Sequence, residues 1–255
     1  MDPHGQNEKK RKIQCDITLS SPQTKFSPRQ ADSSPTMRFL NTAFLWLTSL
    51  NLLKAYPTNP PKLVFLDRDG VINRDVGPPG VLSIPQFDLI DHAATAIGTL
   101  KRLGCTVVMV TNQSCVGKGI ISRQQLDDIH DYMVHQLHQG DPDAILDRLY
   151  ICTCTPEDEA RCKPNPGMIF EALQDFQIDP ADCVLVGDTV NDLIAAASLP
   201  MRILVATGYG TRIMGRDAGE EPECITTCPS IPETILPFYF VRNLGAAVDF
   251  IRSRS

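Results

Sequence analysis

The sequence predicts a doubly wound, Rossmann-like α/β fold on a parallel sheet, and three observations carry that expectation. Short apolar runs recur at Leu63–Leu66, Cys105–Val110, Leu149–Cys152, Cys183–Gly187 and Ile203–Val205, and such runs suit strands covered on both faces. Segments with helical spacing separate them, giving the strand and helix alternation of a parallel sheet. Polar clusters follow the runs directly, at Asp67-Arg68-Asp69-Gly70, Thr111-Asn112-Gln113-Ser114 and Gly187-Asp188-Thr189. In open parallel sheets, ligands bind beyond the carboxyl ends of the strands, where these clusters would lie.

Composition narrows the class. The 255 residues are 42% hydrophobic with mean hydropathy −0.11, enough to bury one full core. Residues 1–61 hold 8 Lys/Arg against 4 Asp/Glu, leaving 16 against 26 in residues 62–255. A domain so acidic, without a basic stretch rich in aromatics, is a poor partner for nucleic acid. The 9 cysteines are odd in number and scattered, which argues for reduced thiols rather than a disulfide framework.

Taken in order, residues 1–36 are polar and rich in Pro, Ser and Gln, and are read as a disordered tail. Met37-Arg38 opens an apolar stretch, Phe39 to Leu53, that ends near Tyr56-Pro57. Translation from Met37 would make 37–56 a secretory or organelle-targeting signal; otherwise 39–53 is an amphipathic segment on the domain or a membrane, and the location is cytoplasmic. The expected division is therefore a tail, 1–61, and a catalytic domain, 62–255, acting as a monomer.

Within that domain, Gly77-Pro78-Pro79-Gly80 is expected in a loop over the site. Asp91 to Leu103 reads as a helix stopped by Gly104. A second helix runs from Ser122 to about His138, with Ser122 and Gln125 as a capping box and Leu126, Ile129, Met133 and Leu137 as its inner stripe. Its His130, His135 and His138 are assigned to the exposed face. Pro164-Asn165-Pro166-Gly167 leads into a helix ending near Phe176, the Ala195-Ala196-Ala197 stretch supplies another, 211–236 reads as loop, and Asn243 to Ile251 reads as a closing helix.

Asp67 and Asp69 would stand together at the end of the first strand. Like charges that close raise each other's pKa, so a cation between them is expected, and oxygen ligands favour magnesium. The set Asp-Arg-Asp-Gly-Val-Ile-Asn at 67–73, Thr-Asn-Gln-Ser at 111–114, Lys-Pro-Asn-Pro-Gly-Met at 163–168 and Gly187-Asp188-Thr189-Val190-Asn191-Asp192 resembles the haloacid dehalogenase superfamily of phosphotransferases. Within it, the closer resemblance is to the subgroup of D-glycero-D-manno-heptose 1,7-bisphosphate phosphatase and histidinol-phosphatase, over roughly residues 62–210 and with no large cap domain.

The resemblance implies an aspartyl-phosphate mechanism on a small phosphate ester. Asp67 would be the nucleophile and Asp69 the acid and base, its pKa raised for that role. Magnesium would be held by Asp67, the Asp69 carbonyl and Asp188, with Asp192 orienting the metal shell. Thr111 and Asn112 would bond the phosphoryl oxygens, and Lys163 would pair with nucleophile and phosphate. Lys118 and Arg161 stand near positions where the subgroup has substrate-binding arginines. Three departures are Cys115 for a glycine, Lys118 for an arginine and Cys162 for the arginine before the catalytic lysine. Zinc is not expected, because Cys152, Cys154 and Cys162 leave a tetrahedral site one ligand short. The competing readings are a histidinol-phosphatase and a non-catalytic binding domain on the same fold.

Overall fold

A computed structural model describes residues 59–254, so the expectations for residues 1–58, the tail and the apolar segment, lie outside the described residues. The sheet has seven strands: β1 (Leu63–Leu66), β2 (Thr106–Asn112), β3 (Arg148–Cys152), β4 (Cys183–Gly187), β5 (Met201–Val205), β6 (Glu223–Ile225) and β7 (Phe238–Val241). Their order is β3-β2-β1-β4-β5-β7-β6, parallel throughout except for β6, which runs antiparallel to β7. The chain therefore winds outward from β1 to β3, then returns to place β4 on the other side of β1. Leu66 aligns with Met109 of β2 and with Val186 of β4. That reversal opens the crevice where ligands of doubly wound sheets sit.

Alternation along the central strand sorts the core. Val64 and Leu66 face one side, packed with Ile97 and Leu100 of α1 (Ala93–Arg102), with Leu126, Ile129, Met133 and Leu137 of α3 (Arg123–Gly140), and with Leu244, Val248 and Ile251 of the last helix, α7 (Leu244–Ser253). α2 (Ser114–Gly117) is a single turn between β2 and α3. Leu63 and Phe65 face the other side, against Met168, Ile169, Ala172 and Leu173 of α4 (Gly167–Phe176). A third cluster unites Leu193 of α5 (Val190–Ala195) with Leu204, Phe238 and Phe240, beyond which α6 (Gly210–Met214) follows β5.

The predicted elements form with small shifts at their ends. Ser122 and Gln125 make the reciprocal capping box, the Gln125 N–H donating to Ser122 Oγ at 3.1 Å and the Ser122 N–H to Gln125 Oε1 at 2.8 Å. Asn243 caps α7 by accepting from the Ala246 N–H at 3.0 Å. The region read as loop, 211–236, instead contains part of α6, strand β6 and a 3-10 turn at Glu233–Ile235. The sheet also extends past its expected last strand to β7, whose Phe238-Tyr239-Phe240-Val241 is buried throughout. His130 is a correction: it is buried, whereas His135 and His138 are exposed as expected. It stands four residues after Leu126 and so falls inside the same inward stripe.

Between β1 and α1, and between β3 and α4, only loops and 3-10 turns occur among the described residues, with no inserted domain over the crevice. No described helix is long and apolar enough to cross a membrane. Ile97 is wholly inaccessible and joins α1 to the sheet. Ile97→Ala is expected to cost about 2 to 5 kcal/mol, read as a lower urea midpoint at unchanged slope; an unmoved midpoint would show that this interface does not carry the fold.

Candidate active site

The crevice gathers residues from four strand ends. Asp67 follows β1, and its N–H donates to the Val186 carbonyl at 3.0 Å. Thr111 and Asn112 end β2, Asp188 follows β4, and Lys163 arrives from the loop ahead of α4. All line one cleft with Asp69, joined by Asp75, Thr189, Asn191 and Tyr209. A larger surface hollow lies between α1, α7 and residues 220–222, but it holds none of the motif residues, so the chemistry belongs to the smaller cleft.

Lys163 is the hub. Its buried ammonium donates to Asp67 Oδ1 at 2.7 Å, to Asp192 Oδ1 at 2.5 Å and to the Val110 carbonyl at 2.8 Å. Burial works to lower its pKa, yet Asp192 and Asp67 outweigh that and drive it upward, so the ammonium stays charged. Asn112 fixes the lysine's backbone: its Nδ2 donates to the Lys163 carbonyl at 2.8 Å and its Oδ1 accepts from the Lys163 N–H at 3.0 Å. One Nδ2 proton and Oδ1 of Asn112 are thereby engaged with Lys163, which leaves its second Nδ2 proton to donate. Thr111 Oγ1 accepts from Gln113 Nε2 at 2.9 Å, which leaves its hydroxyl proton to donate into the cleft.

Asp192 is committed on both oxygens, Oδ1 to Lys163 and Oδ2 to the Thr189 hydroxyl and N–H. Asp188 sits between two glycines whose conformations admit no side chain. Gly70 has φ +81° and Gly208 φ +64°, and a Cβ on either would fall 2.4 Å and 2.1 Å from Asp188 Oδ2. The Tyr209 N–H donates to that oxygen at 2.9 Å, and Thr207 ties the two glycine loops together by donating to the Gly70 carbonyl at 2.5 Å.

Asp69 departs from expectation. Arg68 Nη2 donates to its two oxygens at 2.9 and 2.8 Å, Asn73 Nδ2 to Oδ1 at 2.9 Å, and Gln113 Nε2 to Oδ2 at 3.0 Å. Burial acts to raise its pKa, but the Arg68 charge and these hydrogen bonds win and hold it below the usual carboxylate range. A carboxylate with its acceptor positions so filled is ready to take a proton only when one of these bonds yields. The carboxylates whose pKa is raised are Asp67 and Asp188, with Asp192 beside them. Burial pushes Asp67 upward against the pull of Lys163, with Asp192 adding to the rise. Asp188 is raised by burial and then by Asp67 and Asp192.

Four carboxylates, Asp67, Asp69, Asp188 and Asp192, face two cations, Lys163 and Arg68. Ligand oxygens of Asp67, Asp188 and Asp192 lie within 4.8 Å of one another, all buried. An all-oxygen, anionic cluster of this kind fits a hard divalent cation, which would lower the carboxylate pKa values that burial has raised.

Two expected substrate contacts lie elsewhere. Arg161 Nε and Nη2 donate to Glu171 at 2.6 and 3.1 Å, and its Nη1 donates to the Ile151 carbonyl at 3.0 Å, fastening the loop ahead of α4. Lys118 is exposed at the end of α2 and does not line the cleft. The cysteines also differ from the reduced set: Cys154 and Cys162 form a disulfide with Cα atoms 5.4 Å apart. The sulfur of Cys152 lies beside them, the three within 4.8 Å, so the trio considered for zinc meets as one disulfide and one thiol.

Sequence reasoning missed Asp75, Gln113, Thr189, Asn191 and Tyr209. Gln113, Thr189 and Asn191 lie inside the polar motifs after β2 and β4, and Tyr209 stands between two glycines after β5, a signal of close backbone approach.

The arrangement, a carboxylate at a strand end with a buried lysine and a cluster of buried carboxylates, fits phosphoryl transfer, and comparison with known proteins narrows the class to phosphomonoester hydrolases. Residues 79–199 match the haloacid dehalogenase-like hydrolase family. The D-glycero-beta-D-manno-heptose-1,7-bisphosphate 7-phosphatase of Haemophilus ducreyi is 38% identical over 156 residues, 58% of this chain and 84% of that one. The enzyme of the same name from Escherichia coli K12 is 38% identical over 155 residues, 57% of this chain and 79% of that one. The crystal structure of D,D-heptose 1,7-bisphosphate phosphatase from B. bronchiseptica with magnesium and phosphate superposes with TM-score 0.64 at 30% identity, covering 76% of this chain and 99% of that one. The chain belongs to the haloacid dehalogenase-like hydrolases. Its activity is that of a phosphatase.

The glycine cradle gives a test. Gly208→Ala would drive a methyl group into Asp188, whereas Gly215, with a similar φ of +67°, has nothing within 4 Å of its Cβ position. Turnover in Gly208→Ala is expected to fall about 100-fold, the scale of a displacement near 1 Å at a reacting centre, while Gly215→Ala shares the backbone strain and keeps its activity. Equal activity in the two variants would remove Asp188 from the site.

Proposed function

We propose that the chain hydrolyses a phosphomonoester of a small sugar phosphate through an aspartyl-phosphate on Asp67, with heptose 1,7-bisphosphates the nearest substrate class. The observation that carries this reading is the buried Lys163 ammonium bonded to both Asp67 and Asp192 beside Asp188. The names of the relatives support the substrate class, and the cleft without an inserted domain above it leaves room for a sugar.

In the first half-reaction Asp69, which takes up a proton as substrate binding displaces one of its hydrogen bonds from Arg68, Asn73 or Gln113, gives that proton to the leaving oxygen as an Asp67 oxygen bonds to phosphorus and the ester P–O bond breaks. In the second, water attacks phosphorus, Asp69 accepts its proton, and the bond to Asp67 breaks to release phosphate. Lys163 orients Asp67 and offers positive charge to the transferring group, and the Thr111 hydroxyl donates to a phosphoryl oxygen. Magnesium would be held by Asp67, Asp188 and the Asp69 carbonyl, with Asp192 acting through Lys163 and Thr189, and would supply charge neutralisation for the phosphoryl oxygens. A phosphate-bound neighbour containing magnesium supports that choice of ion.

Asp67→Asn is expected to abolish turnover at saturating substrate while the protein stays folded, because an amide has no anionic oxygen to attack phosphorus. The wild-type chain, acid-quenched during turnover of radiolabelled phosphate ester with magnesium, is expected to carry hydroxylamine-labile label that the variant lacks. Label or near-normal turnover in Asp67→Asn would contradict the nucleophile.

A further inference from the structure

Behind the Asp69 carboxylate stand Arg68 and, beyond it, His130, a side chain outside every motif. Arg68 is completely buried, with one edge of its guanidinium on the Asp69 carboxylate. Its other terminal nitrogen, Nη1, lies 3.1 Å from His130 Nε2. An arginine only donates, so His130 Nε2 must accept and its proton must sit on Nδ1. Nδ1 is buried with no hydrogen-bond partner. A buried donor left unpaired is costly, so the imidazole occupies this place at the expense of local stability. Burial, and then the Arg68 charge, push its pKa down to about 3, in keeping with a neutral ring.

The geometry points to His130 as a positioning residue for the hydrolytic reaction: from helix α3 its neutral imidazole fixes the Arg68 guanidinium, which in turn aims the Asp69 carboxylate that moves the proton. The inference rests on the reading of Asp69 as the proton carrier. Through this relay the register of α3 against the sheet sets the direction of a side chain on the far side of the arginine. Asn73 and Gln113 complete the grip on Asp69, so loss of His130 loosens one arm of three.

The experiment compares kcat/KM for a sugar phosphate, whose alkoxide leaving group needs a proton, with para-nitrophenyl phosphate, whose leaving group does not. This ratio reports only the steps through leaving-group departure, so hydrolysis of the intermediate does not mask it. His130→Leu, which keeps volume but loses the acceptor, is expected to lower kcat/KM for the sugar phosphate about 100-fold, the low end for general acid catalysis, with little change for the aryl ester. His130→Gln, which retains an acceptor, is expected to recover most of the loss. Equal losses on both substrates, or none, would overturn the relay. Asp69→Asn serves as the reference: if it shows the selective loss and His130→Leu does not, the relay alone fails, and if Asp69→Asn itself shows no selectivity, the reading of Asp69 fails and takes the relay with it. Nitrogen NMR of the wild-type imidazole is independent of any variant's folding. It is expected to find the Nδ1–H tautomer near neutral pH, and a proton on Nε2 would overturn the proposal.

Discussion

Everything in the cleft is arranged about one buried ammonium between two buried carboxylates. Lys163 holds Asp67 and Asp192 at hydrogen-bonding distance at the buried floor of the cleft, where each charge alone would be strongly disfavoured. Removing one member of such a set leaves an uncompensated charge, a loss of about 3 to 5 kcal/mol, so the site and the fold around it are coupled. The same attraction fixes which oxygen of Asp67 is occupied.

The sheet explains why these groups meet although 125 residues of sequence separate Asp67 from Asp192. β1 and β4 are neighbours only because the winding reverses at β1, which sets Asp67 beside Asp188 and brings the first turn of α5 over them. Asn112, at the end of the other neighbour, β2, grips the backbone of Lys163, and Arg161 secures the same loop to Glu171 on α4. Two glycines give Asp188 its room. The carboxylates that repel one another are thus held by packing rather than by mutual affinity, and this is the condition under which a divalent cation binds to them well.

Much of this was legible from residue order alone. Five strand cores, the capping box at Ser122 and the grouping of Asp67, Thr111, Lys163 and Asp188 follow from apolar runs ending in polar clusters. What was not legible depends on contacts distant in sequence. The burial of His130 needed its place in the α3 stripe to be weighed above its polarity, and the lowered pKa of Asp69 needed Arg68, Asn73 and Gln113 to be known as its partners. The turning of Arg161 toward Glu171 and the pairing of Cys154 with Cys162 are likewise tertiary events. Strand β7 is different: Phe238 to Val241 is as apolar as the other strand cores, and its place beside β5 became apparent only from the sheet order.

The central claim is that a single oxygen of Asp67 receives the phosphoryl group while the surrounding carboxylates balance a divalent cation. A crystal structure of the full chain grown with magnesium and beryllium fluoride tests it directly, since trifluoroberyllate mimics a phosphoryl group on a carboxylate. The account predicts beryllium bonded to the Asp67 oxygen not held by Lys163, with magnesium between Asp67 and Asp188. Beryllium bonded to Asp69 or Asp188, or a cleft that binds neither ion under these conditions, would contradict it.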